Sequence, residues 1–185
     1  MRIGIDISQI VYEGTGVGTY VRRMVEALLA IDKKNDYILF GASLRRRGVF
    51  KEFAGKCAKL VVVPIPPTIL SFLWNTLHIL PVETFTGPLD VFWSSDWTQP
   101  PLAHAKGITT IHDLIALKFP EETHEKTELN GLNIRANIVA IQKRRLAWVK
   151  KECKAILCDS ESTKKDVLGA LGISKDRLHV IYPGI

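Results

Sequence analysis

Seven short runs in this chain are mostly β-branched and apolar on both alternating faces. They are RIGIDI (2–7), YILF (37–40), KLVVV (59–63), DVFW (90–93), ITTI (108–111), AILC (155–158) and LHVI (178–181). A strand with one wet face alternates polar and apolar residues, whereas a strand covered on both sides does not. Between these runs the apolar spacing changes from two to about three and a half, the period of a helix. Repeated strand–helix–strand order predicts an α/β chain, doubly wound, with a mainly parallel sheet and helices on both faces.

Three helices stand out. Val17, Tyr20, Val21, Met24, Val25 and Leu28 share one helical face, with Arg22, Arg23 and Glu26 opposite. Residues 130–152 predict a longer helix with Leu132, Ile138, Val139, Leu146 and Val149 as its stripe, and Lys143, Arg144 and Arg145 on the solvated face. Residues 162–171 predict a third, with Ser160 or Ser162 as its N-cap and Gly172 as its stop. The loop signals PIPP and QPP end strands. No internal repeat or linker divides the 185 residues, so they form a single domain, 1–185.

Composition narrows the class. Apolar residues make up 46% and charged ones 24%, ordinary for a folded core and too apolar for disorder. The net charge of +6 suits anionic partners, but the basic residues are dispersed, which predicts a solvated surface and no nucleic acid partner. Cys57, Cys153 and Cys158 form neither a paired framework nor a CxxC, as expected of reduced thiols in a cytoplasmic protein. MRIGIDIS enters a strand at once, which leaves no room for a signal peptide. TILSFLWNTLHILPV is too short and too polar to span a bilayer. Its apolar stripe lacks dense basic residues opposite, so core or interdomain packing is expected ahead of a peripheral membrane contact.

The segment EGTGVGTY (13–20) carries Gly14, Gly16 and Gly18 ahead of the first helix. A helix start offers free N–H groups and partial positive charge to phosphate, and glycine lets a ligand approach the backbone. A dinucleotide fingerprint needs GxGxxG directly after the first strand and an acidic residue ending the second. Here SQIVYE intervenes and the second strand ends ILFGAS. A P-loop would need GKS or GKT. A phosphate cradle of another kind and a glycine-rich loop without a ligand both remain.

His112 and Asp113 follow an apolar strand directly, where open α/β sheets bind ligands. A histidine there can donate or accept a hydrogen bond near neutral pH; alternatively it is structural, with Asp113 capping the next turn. Asp96 and Trp97 follow the fourth strand and so face the same crevice as candidate substrate-binding residues, Trp97 by stacking, or else Trp97 packs against the adjacent prolines.

The succession EGTGVGTYVRRMVEALL, FLWNTLHILPVE, DVFWSSDWTQPP, TIHDLIALKFPE and AILCDSESTKKDVLGALGISKDRLHVIYPGI resembles, over essentially the whole chain, the N-terminal domain of the retaining glycosyltransferases of the GT-B fold, the family-4 or group-1 type. IHDL and the C-terminal stretch are its most specific parts. The resemblance implies one Rossmann-like half of a GT-B enzyme of hexosyltransferase type. A sugar would pass, with retention, from a nucleotide-sugar donor to a glycan or lipid-linked acceptor. It implies that Gly16, with Gly14 and Gly18 beside it, contacts the donor diphosphate and that His112, followed by Asp113, lies near the transferred sugar. It implies no cofactor and no metal. A C-terminal donor domain beyond RLHVIYPGI would be the partner, and without it the 185 residues are expected to be inactive. The action would be cytoplasmic, with an optional contact at the cytoplasmic membrane face. The rival is a stand-alone nucleotide-binding or regulatory module without catalysis, and a dehydrogenase comes third.

Overall fold

A computed structural model describes residues 1–120, 128–129, 132–133 and 138–184, the two short pairs by their backbone alone. Strand β1 (Arg2–Asp6) leads through a 3-10 turn (Ser8–Val11) into helix α1 (Gly16–Ile31). Strand β2 (Asp36–Ala42), a 3-10 segment (Arg47–Phe53) and β3 (Lys59–Val63) follow. Helix α2 (Pro67–Ser71) runs on as a π-helical turn (Phe72–Leu77), and then come α3 (Glu83–Thr86), β4 (Val91–Ser94), β5 (Lys106–Ile111) and α4 (Ile115–Lys118). A small hairpin pairs β6 (Glu128–Leu129) with β7 (Leu132–Asn133). Helix α5 (Ile138–Glu152), β8 (Cys153–Cys158), α6 (Glu161–Leu171) and β9 (Leu178–Val180) complete the order.

Seven strands form one sheet in the order β3-β2-β1-β4-β5-β8-β9. Every pairing in it is parallel. The chain builds outward from β1 in one direction, returns, and builds outward from β4 in the other. This is a Rossmann-like doubly wound sheet, whose switch point lies between β1 and β4.

The cause is visible in β2. Tyr37 and Leu39 enter a core with Ile5, Val25, Phe50 and Phe53, while Ile38, Phe40 and Ala42 enter another, on the opposite face, with Leu70, Trp74 and Phe92. A third core lies under α5 and α6, around Ile111, Leu146, Val149, Ile156 and Val167. All seven expected strands are present, their ends shifted by a residue or two.

Of the helix expected over 130–152, α5 accounts for Ile138–Glu152, and residues 130, 131 and 134–137 lie outside the described residues. Residues 132–133 are a strand of the hairpin, so Leu132 does not belong to the stripe. In the hairpin Glu128 pairs with Asn133 and Leu129 with Leu132. Arg145 also departs from expectation. It is 1% exposed, whereas Lys143 and Arg144 are solvated. The third helix starts and stops as the sequence requires. Ser160 accepts a hydrogen bond from the Thr163 N–H, and Gly172 adopts φ 58°. Among the described residues, no helix is long and apolar enough to cross a membrane.

Candidate functional site

In an open parallel sheet the side chains at the carboxyl ends of the strands face a common crevice. Here Asp6 ends β1, Ser94 ends β4, His112 follows β5 and Asp159 follows β8. Strands β5 and β8 are paired with Ile111 opposite Cys158, so their next residues emerge side by side. The His112 Nδ1 lies 2.5 Å from Asp159 Oδ2. With Nδ1–H donating to the carboxylate, Nε2 is the nitrogen left for other partners. Thr163 Oγ1 donates to the His112 carbonyl at 3.0 Å, and the Tyr20 ring meets the imidazole edge-on at 4.8 Å between centroids. The histidine is therefore held from α6, from β8 and from the second turn of α1.

Asp96 approaches the same point from β4. Its carboxylate pairs with Arg145 at 3.3 Å, and its carbonyl accepts from Gln142 at 3.1 Å. Arg145 reaches inward from α5 to donate to Thr109 Oγ1 at 2.8 Å and to the Thr110 carbonyl at 3.1 Å. Burial pushes the Asp96 carboxyl up from its ordinary value; Arg145 and then His112 pull it back, while Asp113 and Asp159 add to the rise. Burial also lowers the Arg145 guanidinium, opposed by Asp96. Asp6 accepts from the Ser8 N–H at 2.9 Å and from Thr98 Oγ1 at 3.3 Å, which ties the end of β1 to the loop after β4. Burial raises the Asp6 carboxyl, opposed by its hydrogen bonds from Ser8, Ser95 and Thr98.

A small cavity of about 20 Å³ lies among Asp6, Tyr20, Met24, Trp93, Asp96 and His112. A wider cleft of about 260 Å³ opens beside it, between Asp96, Asp113, Leu117, Ile138 and Gln142. Asp96 borders both. Asp113 is exposed, and its Oδ1 accepts from the Ile115 N–H at 2.9 Å, at the first residue of α4. Trp97 lies apart from His112. It lines a different hollow with Ser8, Gln9, Tyr12, Pro67 and Leu70, and its carbonyl accepts from Asn75 at 3.0 Å.

The three glycines differ in their surroundings. Gly14 has φ 79°, in the left-handed region. Thr15 caps α1 and accepts from the Gly18 N–H at 3.1 Å. A Cβ on Gly18 would come within 2.8 Å of the Tyr12 carbonyl and 3.0 Å of that of Gln9, so Gly18 lets α1 dock on the 3-10 turn. A Cβ on Gly16 would meet nothing within 4 Å. Gly16 and Val17 open the helix, where N–H groups precede the first intrahelical carbonyl they could reach.

The fold thus gathers His112, Asp96 and Asp113 around adjoining spaces, brings the first turns of α1 to His112 through Tyr20, and directs Trp97 elsewhere. Sequence reasoning missed Asp159, Arg145, Asp6 and Tyr20. A signal existed for two of them: Asp159 and Asp6 stand at the ends of predicted strands, as His112 does.

A search of curated proteins returned no match. The family model for Glycosyltransferase Family 4 matches residues 14–185, from the glycine loop onward. Nearly the whole chain is covered, glycine loop and strand-end histidine included, and the protein belongs to glycosyltransferase family 4.

Proposed function

We propose that the chain is the acceptor-side domain of a retaining glycosyltransferase that uses a nucleotide-sugar donor and a glycan or lipid-linked acceptor at the cytoplasmic face of a membrane. The observation that carries this reading is the His112–Asp159 pair at the crevice end of the sheet, adjoining Asp96 and the first turns of α1. The N–H groups of Gly16 and Val17 would meet the donor diphosphate, as helix starts do. Nε2 of His112 would hold a hydroxyl of the transferred sugar or the departing diphosphate oxygen. Asp96, with the free oxygen of Asp113, would accept hydrogen bonds from acceptor hydroxyls in the wider cleft. Transfer needs both reactants fixed in line in a closed site, which a donor domain would complete.

Full-length protein screened against a panel of nucleotide sugars tests this. Hydrolysis or transfer of at least one is expected, and His112→Ala should lower turnover roughly a hundredfold, the scale for losing a positioned polar group at a reacting centre. Residues 1–185 alone should turn over no donor above the no-enzyme rate. Unchanged turnover in His112→Ala would remove the histidine from the site.

A further inference from the structure

The carboxyl end of β2 reaches across to the glycine loop. After Ala42 the chain turns at Ser43, which is buried and whose N–H donates to the Val63 carbonyl at 3.2 Å. Ser43 Oγ accepts from the Arg46 N–H at 3.0 Å, and the Arg46 carbonyl accepts from the Val49 N–H at 3.2 Å. The backbone of Arg46 is thus fixed on both sides. Its guanidinium spans two acceptors ahead of α1. Nη1 donates to the Val11 carbonyl, and Nη2 meets Glu13 Oε1 at 2.6 Å. A planar fork with donors on separate nitrogens suits such a double contact.

Glu13 stands two residues before Thr15, the N-cap of α1. Thr15 takes the Gly18 N–H, which leaves those of Gly16 and Val17 to other acceptors. A helix start attracts any anion within reach, and a nearby carboxylate of the same chain is the simplest one to supply. The first turn of α1 has no acidic residue, so in sequence Glu13 is the nearest carboxylate. Turned toward the helix, it would compete with phosphate for the same N–H groups. In the structure it lies on Arg46 instead.

The pair is not there for stability. The two side chains are 48% and 60% exposed, and ion pairs of that kind add little to a fold. What the contact fixes is the place of a charge. Paired, Glu13 and Arg46 present no net charge to an arriving anion. Unpaired, Glu13 presents a negative one.

We propose that Arg46 is a positioning residue for the donor: by holding Glu13 it keeps the start of α1 open to a diphosphate. This rests on the donor site proposed for the Gly16 and Val17 N–H groups. Without Arg46, Glu13 becomes an internal competitor for that site.

The test is a double-mutant cycle read in ¹H–¹⁵N spectra of the chain. Glu13→Gln alone should leave the Gly16 and Val17 amide signals nearly in place. Arg46→Ala should move them, and Glu13→Gln added to Arg46→Ala should return them. Arg45→Ala removes the same charge from an exposed neighbour without freeing Glu13, and should move neither signal. Inorganic pyrophosphate titrated into each variant should perturb the same two amides. Its Kd should rise about threefold to tenfold in Arg46→Ala, the scale for an anion at a helix start, and return when Glu13→Gln is added. Circular dichroism melts should differ little among the variants. Amide signals or a pyrophosphate Kd that Arg46→Ala changes and Glu13→Gln does not return would overturn the proposal, because Arg46 would then act on the phosphate or the loop directly. Equal pyrophosphate affinity in all variants would overturn it too. Pyrophosphate that leaves both amides unmoved in every variant, with the cycle of signals as expected, would refute the donor site and leave the placement of Glu13 standing.

Discussion

A strand-end imidazole turns freely until one nitrogen is held, and Asp159 holds Nδ1 of His112 at 2.5 Å. Asp159 is thus a positioning residue for Nε2. In the transferase proposed above, Asp159→Ala should lower turnover roughly a hundredfold, the cost of a misplaced group, with little change in acceptor KM. The ¹⁵N shifts of the His112 ring should report the Nδ1–H tautomer in the native chain and lose that preference in Asp159→Ala; an unchanged tautomer would contradict the assignment. Arg145 is a second such case. Arg145→Ala strands Asp96 and frees Thr109 and the Thr110 carbonyl, and urea unfolding should show a loss of about 3 kcal/mol, the lower end for a broken buried pair because Asp96 is partly exposed. Neither pairing was legible in the sequence. Asp159 meets His112 across 47 positions, and Arg145 looks like its neighbours Lys143 and Arg144 until the direction of each side chain from the helix is known.

At the scale of elements, the glycine loop separates into parts. Gly18→Ala pushes a Cβ against two backbone carbonyls at the start of α1 and should destabilise the fold by about 1–3 kcal/mol, read as a lower melting temperature. Gly16→Ala meets open space and should melt as the unaltered chain does; a comparable loss there would mean that the loop packs differently. Spacing alone treated Gly14, Gly16 and Gly18 as one motif. The seven strands were legible because burial on both faces leaves a continuous apolar run, and α6 because Ser160 and Gly172 mark its ends. The hairpin was not, because two-residue strands carry no periodicity. Nor was the left-handed turn at His78 (φ 53°) that follows the π-helical turn: Trp74, Trp148 and Glu152 impose it, and the local sequence reads as plain helix.

Across the whole molecule, the layered sheet keeps two thiols from water. Burial pushes Cys153 up to about 12 and Cys158 up to about 11, from ordinary values of 9.0. Each thiol therefore ionises in the unfolded chain at a lower pH than in the folded one. Their contribution to stability is complete below about pH 9 and is lost as pH rises toward 11 and 12. The urea midpoint should fall across that window, and the fall should be shallower in Cys153→Ala. A midpoint flat from pH 9 to 11 would contradict this. Under native conditions Cys57, the partly exposed thiol, should be the first of the three to react with a thiol reagent.

The all-parallel order also sets a sequence of events in time. Strand β1 pairs with β2 on one side, but on the other it waits for residues 91–93 of β4. No tight turn can bring parallel neighbours together, so each pairing requires a crossover to be completed first. At a synthesis rate of about 5–20 residues per second, β1 would keep one edge open for on the order of ten seconds. During that interval Ile3 and Ile5 lack the neighbours that later enclose them, and the newborn chain depends on whatever in the cell shields such an edge.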